Sequence, residues 1–102
     1  MFVIVWEFRV PSDRVPEFER AYGADGEWAV LFRRGAGFLG TELLRDRDDP
    51  ERFFTIDRWR EGGDFEAFRA TFGDDYAAVD KRCELLTVSE TRIGVFESAD
   101  RP

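Results

Sequence analysis

The sequence predicts an α+β domain of the ferredoxin-like kind, a four-stranded antiparallel sheet in βαββαβ order with both helices on one face. Three observations carry this. Runs with period-2 apolar alternation and runs with helical spacing follow one another as strand, helix, strand, strand, helix, strand. Glycine and proline clusters punctuate them. Every strand also carries apolar residues on both sides, so the sheet face without helices needs a cover, and a second copy of the chain is the simplest one.

The elements follow in order. Phe2, Ile4, Trp6, Phe8 and Val10 share one side of a first strand, with Val3, Val5, Glu7 and Arg9 on the other. Pro11 ends it, and Ser12 or Asp13 is placed to cap a helix with Pro16 in its first turn and a buried stripe of Val15, Phe18 and Tyr22. Gly23 and Gly26 interrupt that helix before Trp28, Leu31 and Phe32 resume its spacing, and Gly35-Ala36-Gly37 stops it. Phe38–Arg45 is a second strand, joined through the charged loop RDRDDPER to a third, Phe53–Arg60, on which Asp57 and Trp59 share a side opposite Ile56 and Arg58. Gly62-Gly63 then breaks the extended run, and Asp64 is placed to cap a helix carrying Phe65, Phe68 and Phe72 on one side. Gly73 divides this helix from a continuation with Tyr76, Val79 and Cys83, and Leu85 and Leu86 anchor its exit. The last strand lies within Thr87–Glu97, with Thr91, Ile93 and Val95 on one side and Arg92, Gly94 and Phe96 on the other, ahead of a loose tail at Ser98–Pro102.

A chain of 102 residues is one domain, 1–102, with a small core, and sixteen per cent aromatic residues exceed what such a core hides without a partner or a pocket. The net charge of −7 is spread along the whole chain and excludes nucleic acid as the expected partner. The lone Cys83 has no internal disulfide partner, the start MFVIVWEFRV lacks the features of a signal peptide, and the run Met1–Trp6 is far too short to span a bilayer. These features predict a cytoplasmic protein without a membrane segment.

Several runs together resemble a known family. WEFRV at Trp6–Val10, EFERAYGADGEWAVLFRR at Glu17–Arg34, GFLGTELLRD at Gly37–Asp46, FFTIDRW at Phe53–Trp59 and DFEAFR at Asp64–Arg69 are similar to the antibiotic biosynthesis monooxygenase-like branch of the dimeric α+β barrel superfamily, and the likeness runs to TRIGVFE at Thr91–Glu97. The resemblance implies a homodimer whose two sheets pack face to face, with a pocket in each subunit between sheet and helices. It also implies one of two chemistries, cofactor-free oxygenation of polycyclic phenols or anthrones to quinones, or haem degradation. The haem-degrading members rely on a histidine, an asparagine and a tryptophan of the second helix. This chain has no His and no Asn, and Phe68 occupies the approximate place of that tryptophan, so haem degradation is not expected.

Cofactor-free oxygenation needs a base that favours the substrate anion and a dry aromatic pocket that holds it beside dioxygen. Without His, the base falls to a carboxylate among Glu7, Glu42 and Asp57, or to a tyrosine; the same carboxylates also read as solvated strand residues or partners of nearby Arg. Trp59, Tyr76 and Asp57 are the expected catalytic side chains, and Trp6, Tyr22, Trp28, Arg58, Phe68 and Phe72 the expected substrate-binding ones; the aromatics serve equally well as core. Cys83 reads as core packing, having no His to activate it. No dinucleotide, phosphate-loop or zinc spacing is present, so neither a cofactor nor a metal is expected. The competing expectation is a non-catalytic homodimer that binds a small aromatic ligand or is purely structural.

Overall fold

The computed structural model describes residues 1–100. β1 (Phe2–Arg9) leads through a 3-10 turn at Ser12–Arg14 into α1 (Val15–Tyr22) and α2 (Glu27–Phe32). β2 (Phe38–Arg45) and β3 (Arg52–Trp59) form a hairpin, followed by α3 (Gly62–Cys83), a 3-10 turn at Glu84–Leu86 and β4 (Ser89–Glu97). The sheet is ordered β2-β3-β1-β4 with every neighbouring pair antiparallel, which is the ferredoxin-like arrangement. Of the tail expected at Ser98–Pro102, positions 101 and 102 lie outside the described residues.

The alternation read along β3 holds in space. Phe53, Thr55, Asp57 and Trp59 are all buried and face the helices, while Phe54, Ile56 and Arg58 face away. Trp6 stands opposite Thr55, and Thr41 opposite Asp57, so β1, β3 and the edge strand β2 bring these two hydroxyls, the indole and the carboxylate to the same side. Phe18, Tyr22, Trp28, Leu31 and Phe32 from α1 and α2, and Phe68, Val79 and Cys83 from α3, close over them as one core. The break between α1 and α2 requires glycine at Gly26, where a Cβ would stand 2.5 Å from the Arg20 carbonyl oxygen and 2.6 Å from that of Ala21. α3 is kinked at Phe72 (φ −113°, ψ 24°), immediately before Gly73.

Four local expectations are corrected. Ser12 does not cap a helix, because its N–H and its hydroxyl both bind the Glu51 carboxylate, at 2.9 and 2.8 Å. Asp64 is the third residue of α3 rather than its cap; its carboxylate rests over Gly37, whose φ of +86° and missing Cβ make room for it, and lies 3.7 Å from the Arg60 guanidinium. Leu85 is exposed, and Leu86 alone holds the helix exit against the core. The faces of β4 are also not those of simple alternation. The register against β1 slips between Gly94, opposite Val5, and Arg92, opposite Trp6, so that Ile93 is an extra residue. Beyond this bulge Arg92 and Glu90 join Val95 on the helix-facing side, and Thr91 moves to the side of Phe96.

Candidate functional site

Two adjoining cavities lie between the helix-facing side of the sheet and the helices, sharing Trp6, Phe32, Asp57 and Tyr76 as a common wall. The first, of about 60 Å³, is completed by Phe8, Tyr22, Trp28, Thr41, Thr55, Asp80 and Glu90. The second, of about 220 Å³, adds Phe2, Ile4, Phe65, Glu66, Arg69, Arg92 and Val95. Trp6, Phe8, Thr55 and Asp57 reach this cleft because period-2 alternation on β1 and β3 turns them all the same way. Glu90 and Arg92 reach it because of the β4 bulge.

Asp57 is the polar centre of the cleft. It is 8% exposed, and its Oδ1 accepts a 2.7 Å hydrogen bond from the Thr41 hydroxyl. Burial raises its pKa from an ordinary 3.8 to about 6, and the Thr41 bond offsets only part of that rise. A carboxylate titrating there changes charge close to neutral pH, as a general base does. Burial pushes the Tyr22 phenol well above its usual range, reinforced by Cys83, and burial likewise raises Tyr76, against the pull of the Arg69 guanidinium stacked 4.0 Å from its ring centre. Both phenols are therefore neutral hydrogen-bond donors rather than bases. Glu90 is raised by burial and by the charge of Asp80. The Trp28 indole N–H is buried and approaches Tyr22 and Cys83 without completing a hydrogen bond to either.

A cleft of aromatic walls around one buried carboxylate, on this topology, is matched by sequence. Residues 1–79 match the family model described as antibiotic biosynthesis monooxygenase. The chain belongs to the antibiotic biosynthesis monooxygenase family. Solved structures agree on the fold. SnoaB, a cofactor-independent oxygenase from Streptomyces nogalater, in a mutant form, superposes with a TM-score of 0.78 at 24% identity, over 98% of this chain and 94% of its own. MhuD, a heme-degrader from Mycobacterium tuberculosis, superposes with a TM-score of 0.71 at 24% identity, over 100% of this chain and 99% of its own. A search of curated proteins finds no match.

Within this antibiotic biosynthesis monooxygenase fold, Asp57, Tyr76, Trp6, Tyr22 and Trp28 come together around the first cavity. The other residues expected at the site lie elsewhere. Trp59 is 0% exposed and packs among Phe32, Phe38, Phe65 and Phe68, lining neither cavity. Phe68 is buried beside it, and Phe72 lies under the Arg34 guanidinium. Arg58 is on the opposite side of the sheet, 3.2 Å from Glu42, which removes both from the cleft. Glu7 also faces away and is paired with Arg52 at 2.5 Å. Thr41, Thr55, Asp80, Glu90, Arg69 and Arg92 were not expected at the site. Thr41 had a readable signal, since it lies on the second strand, where antiparallel pairing sets it against Asp57; the β4 pair had none, because alternation alone places Arg92 on the wrong face.

Among the described residues, no group of three or more His, Cys, Asp or Glu is arranged to hold a metal ion, and no helix is long and apolar enough to cross a membrane.

Proposed function

We propose that this chain is a cofactor-independent monooxygenase-like protein that takes a small aromatic metabolite into the cleft and works as a homodimer. The observation that carries the reading is Asp57, a buried carboxylate titrating near 6 at the meeting point of two aromatic-walled cavities. Its role is to accept a proton from an acidic C–H or O–H of the ligand, leaving an electron-rich anion between Trp6, Phe32 and Tyr76. For a ring methylene, that anion adds dioxygen to form a C–O bond, Asp57 returns its proton to the resulting peroxide, and loss of water with the second C–H proton leaves a carbonyl. One dioxygen is consumed and one water released per turnover, with the substrate as the sole reductant. Tyr22 and Tyr76, held neutral by burial, are donors for the substrate oxygen.

The residues present do not fit haem. The chain has no histidine, and the thiol and phenols nearest the cleft are held protonated by burial, so no step is assigned to an iron centre.

The dimer reading is supported by the sheet face away from the helices. Val3 and Val5 on β1, Phe54 and Ile56 on β3, Leu44 on β2 and Phe96 on β4 form an apolar surface there, with Leu44 and Phe96 exposed in the single chain.

The deciding experiment is oxygen uptake with an anthrone or a hydroquinone by the wild type and by Asp57→Asn. Loss of about 100-fold or more in the variant is expected for removal of a general base. Equal rates sink the assignment of Asp57, and wild-type protein that binds the aromatic without consuming oxygen is a binding module.

A further inference from the structure

We propose that the ligand of this cleft carries a protonated amine, seated between Asp80 and Glu90 at the mouth of the first cavity with its aromatic ring directed toward Asp57. The inference rests on the reading of the cleft as an aromatic-ligand site and goes beyond it by assigning the ligand's charge.

Three carboxylates, Asp57, Asp80 and Glu90, line the first cavity, and among the described residues no Lys or Arg does. Arginine elsewhere pairs readily with acids, yet none of the ion pairs among the described residues includes any of these three. Asp57 is more than nine-tenths buried, and among the described residues only Oδ1 has a protein donor, from Thr41, which leaves Oδ2 without one on a cavity wall. Negative charge on the buried Asp57 without a counter-ion is costly, and a cation held by Asp80 and Glu90 in the same cavity offsets part of that cost.

The rings point the same way. Trp6, Tyr22 and Trp28 line the same small cavity, and a cation is attracted to aromatic faces most strongly when indoles supply them. Tyr76 already carries a cation on its ring, the Arg69 guanidinium. Arg69 and Arg92 belong to the second cavity, beside Glu66, so the cationic side chains of the cleft stand at the end away from Asp80 and Glu90. An anionic substituent belongs at the arginine end; at the Asp80–Glu90 end it would meet three carboxylates and, among the described residues, no cation.

The test is a matched set of one-ring phenols: tyramine, a cation; tyrosol, its neutral alcohol; and 4-hydroxyphenylacetate, an anion. Binding of each is measured by titration calorimetry near neutral pH and low salt, to the wild type and to the double variant Asp80→Asn, Glu90→Gln, both at exposed positions. Tyramine is expected to bind about tenfold more tightly than tyrosol, with that advantage mostly lost in the double variant. Equal binding of tyramine and tyrosol, an advantage that survives the double variant, or tightest binding by 4-hydroxyphenylacetate overturns the amine assignment while leaving the aromatic site standing. Failure of all three phenols to bind overturns both.

Discussion

Thr41 and Asp57 stand directly opposite one another across the β2–β3 pair, and the threonine hydroxyl donates to the carboxylate over 2.7 Å on the side closed off by the helices. Among the described residues this is the one group within hydrogen-bonding distance that favours the ionised form of Asp57, and it competes with burial, which favours the neutral form. Burial and Thr41 together set where Asp57 titrates, and the Thr41 bond leaves Oδ2 as the oxygen that faces a ligand.

Thr41→Val keeps the shape and deletes the donor, so the Asp57 titration is expected to move upward by about one pH unit, the size of a lost hydrogen bond to a charged group. Thr41→Ser keeps the donor and is expected to leave it near the wild-type value. Carboxyl carbon chemical shifts followed against pH measure both. An unmoved midpoint in Thr41→Val removes threonine from this role.

Asp57 costs stability at the pH where it is ionised. Its folded pKa, about 6, is above the ordinary 3.8, so between those values the unfolded chain has lost a proton that the folded chain still holds. This contribution is fully present below pH 3.8, falls as pH rises through about 6, and amounts to ~3 kcal/mol from the size of the shift. Asp46 and Asp49, held low by their bonds to Arg52 and Arg9, act in the opposite sense, with stability lost as pH falls. Urea unfolding of the wild type and Asp57→Asn at pH values below 4 and above 7 cancels that background. The variant is expected to gain stability relative to wild type only at the higher pH; a pH-independent difference contradicts the raised carboxylate.

Trp59 and Tyr76 are expected to fail differently when changed. Trp59→Ala opens a cavity in the middle of a ring cluster and should destabilise the fold by about 3–5 kcal/mol, visible as a lower urea midpoint. Tyr76→Phe removes only a hydroxyl from the cleft wall and should leave that midpoint nearly unchanged while weakening aromatic binding or oxygen uptake. The reverse pattern would move Trp59 into the site.

The uncovered sheet face makes a prediction about mass. Light scattering is expected to report twice the 11.9 kDa of one chain for the wild type, and a species near one chain mass for Val5→Glu or Phe96→Glu, each of which puts a charge on that face. A wild type that stays single-chain at micromolar concentration ends the dimer reading.

The order of the elements, the faces of β1 and β3, and the gathering of Trp6, Tyr22, Trp28, Asp57 and Tyr76 were determined by the sequence alone, because a period of two or of 3.6 fixes which side chains share a side once the layers are stacked. Tertiary structure decided the rest. Which large rings line a cavity and which fill the core depends on packing at ångström scale, and it sent Trp59 and Phe68 to the interior and Phe72 beneath Arg34 while Phe8 and Phe32 became wall. The bulge at Ile93 is a property of how β4 meets β1, not of β4's own pattern; that single extra residue turned Glu90 and Arg92 inward, adding a carboxylate to the first cavity and a guanidinium to the second.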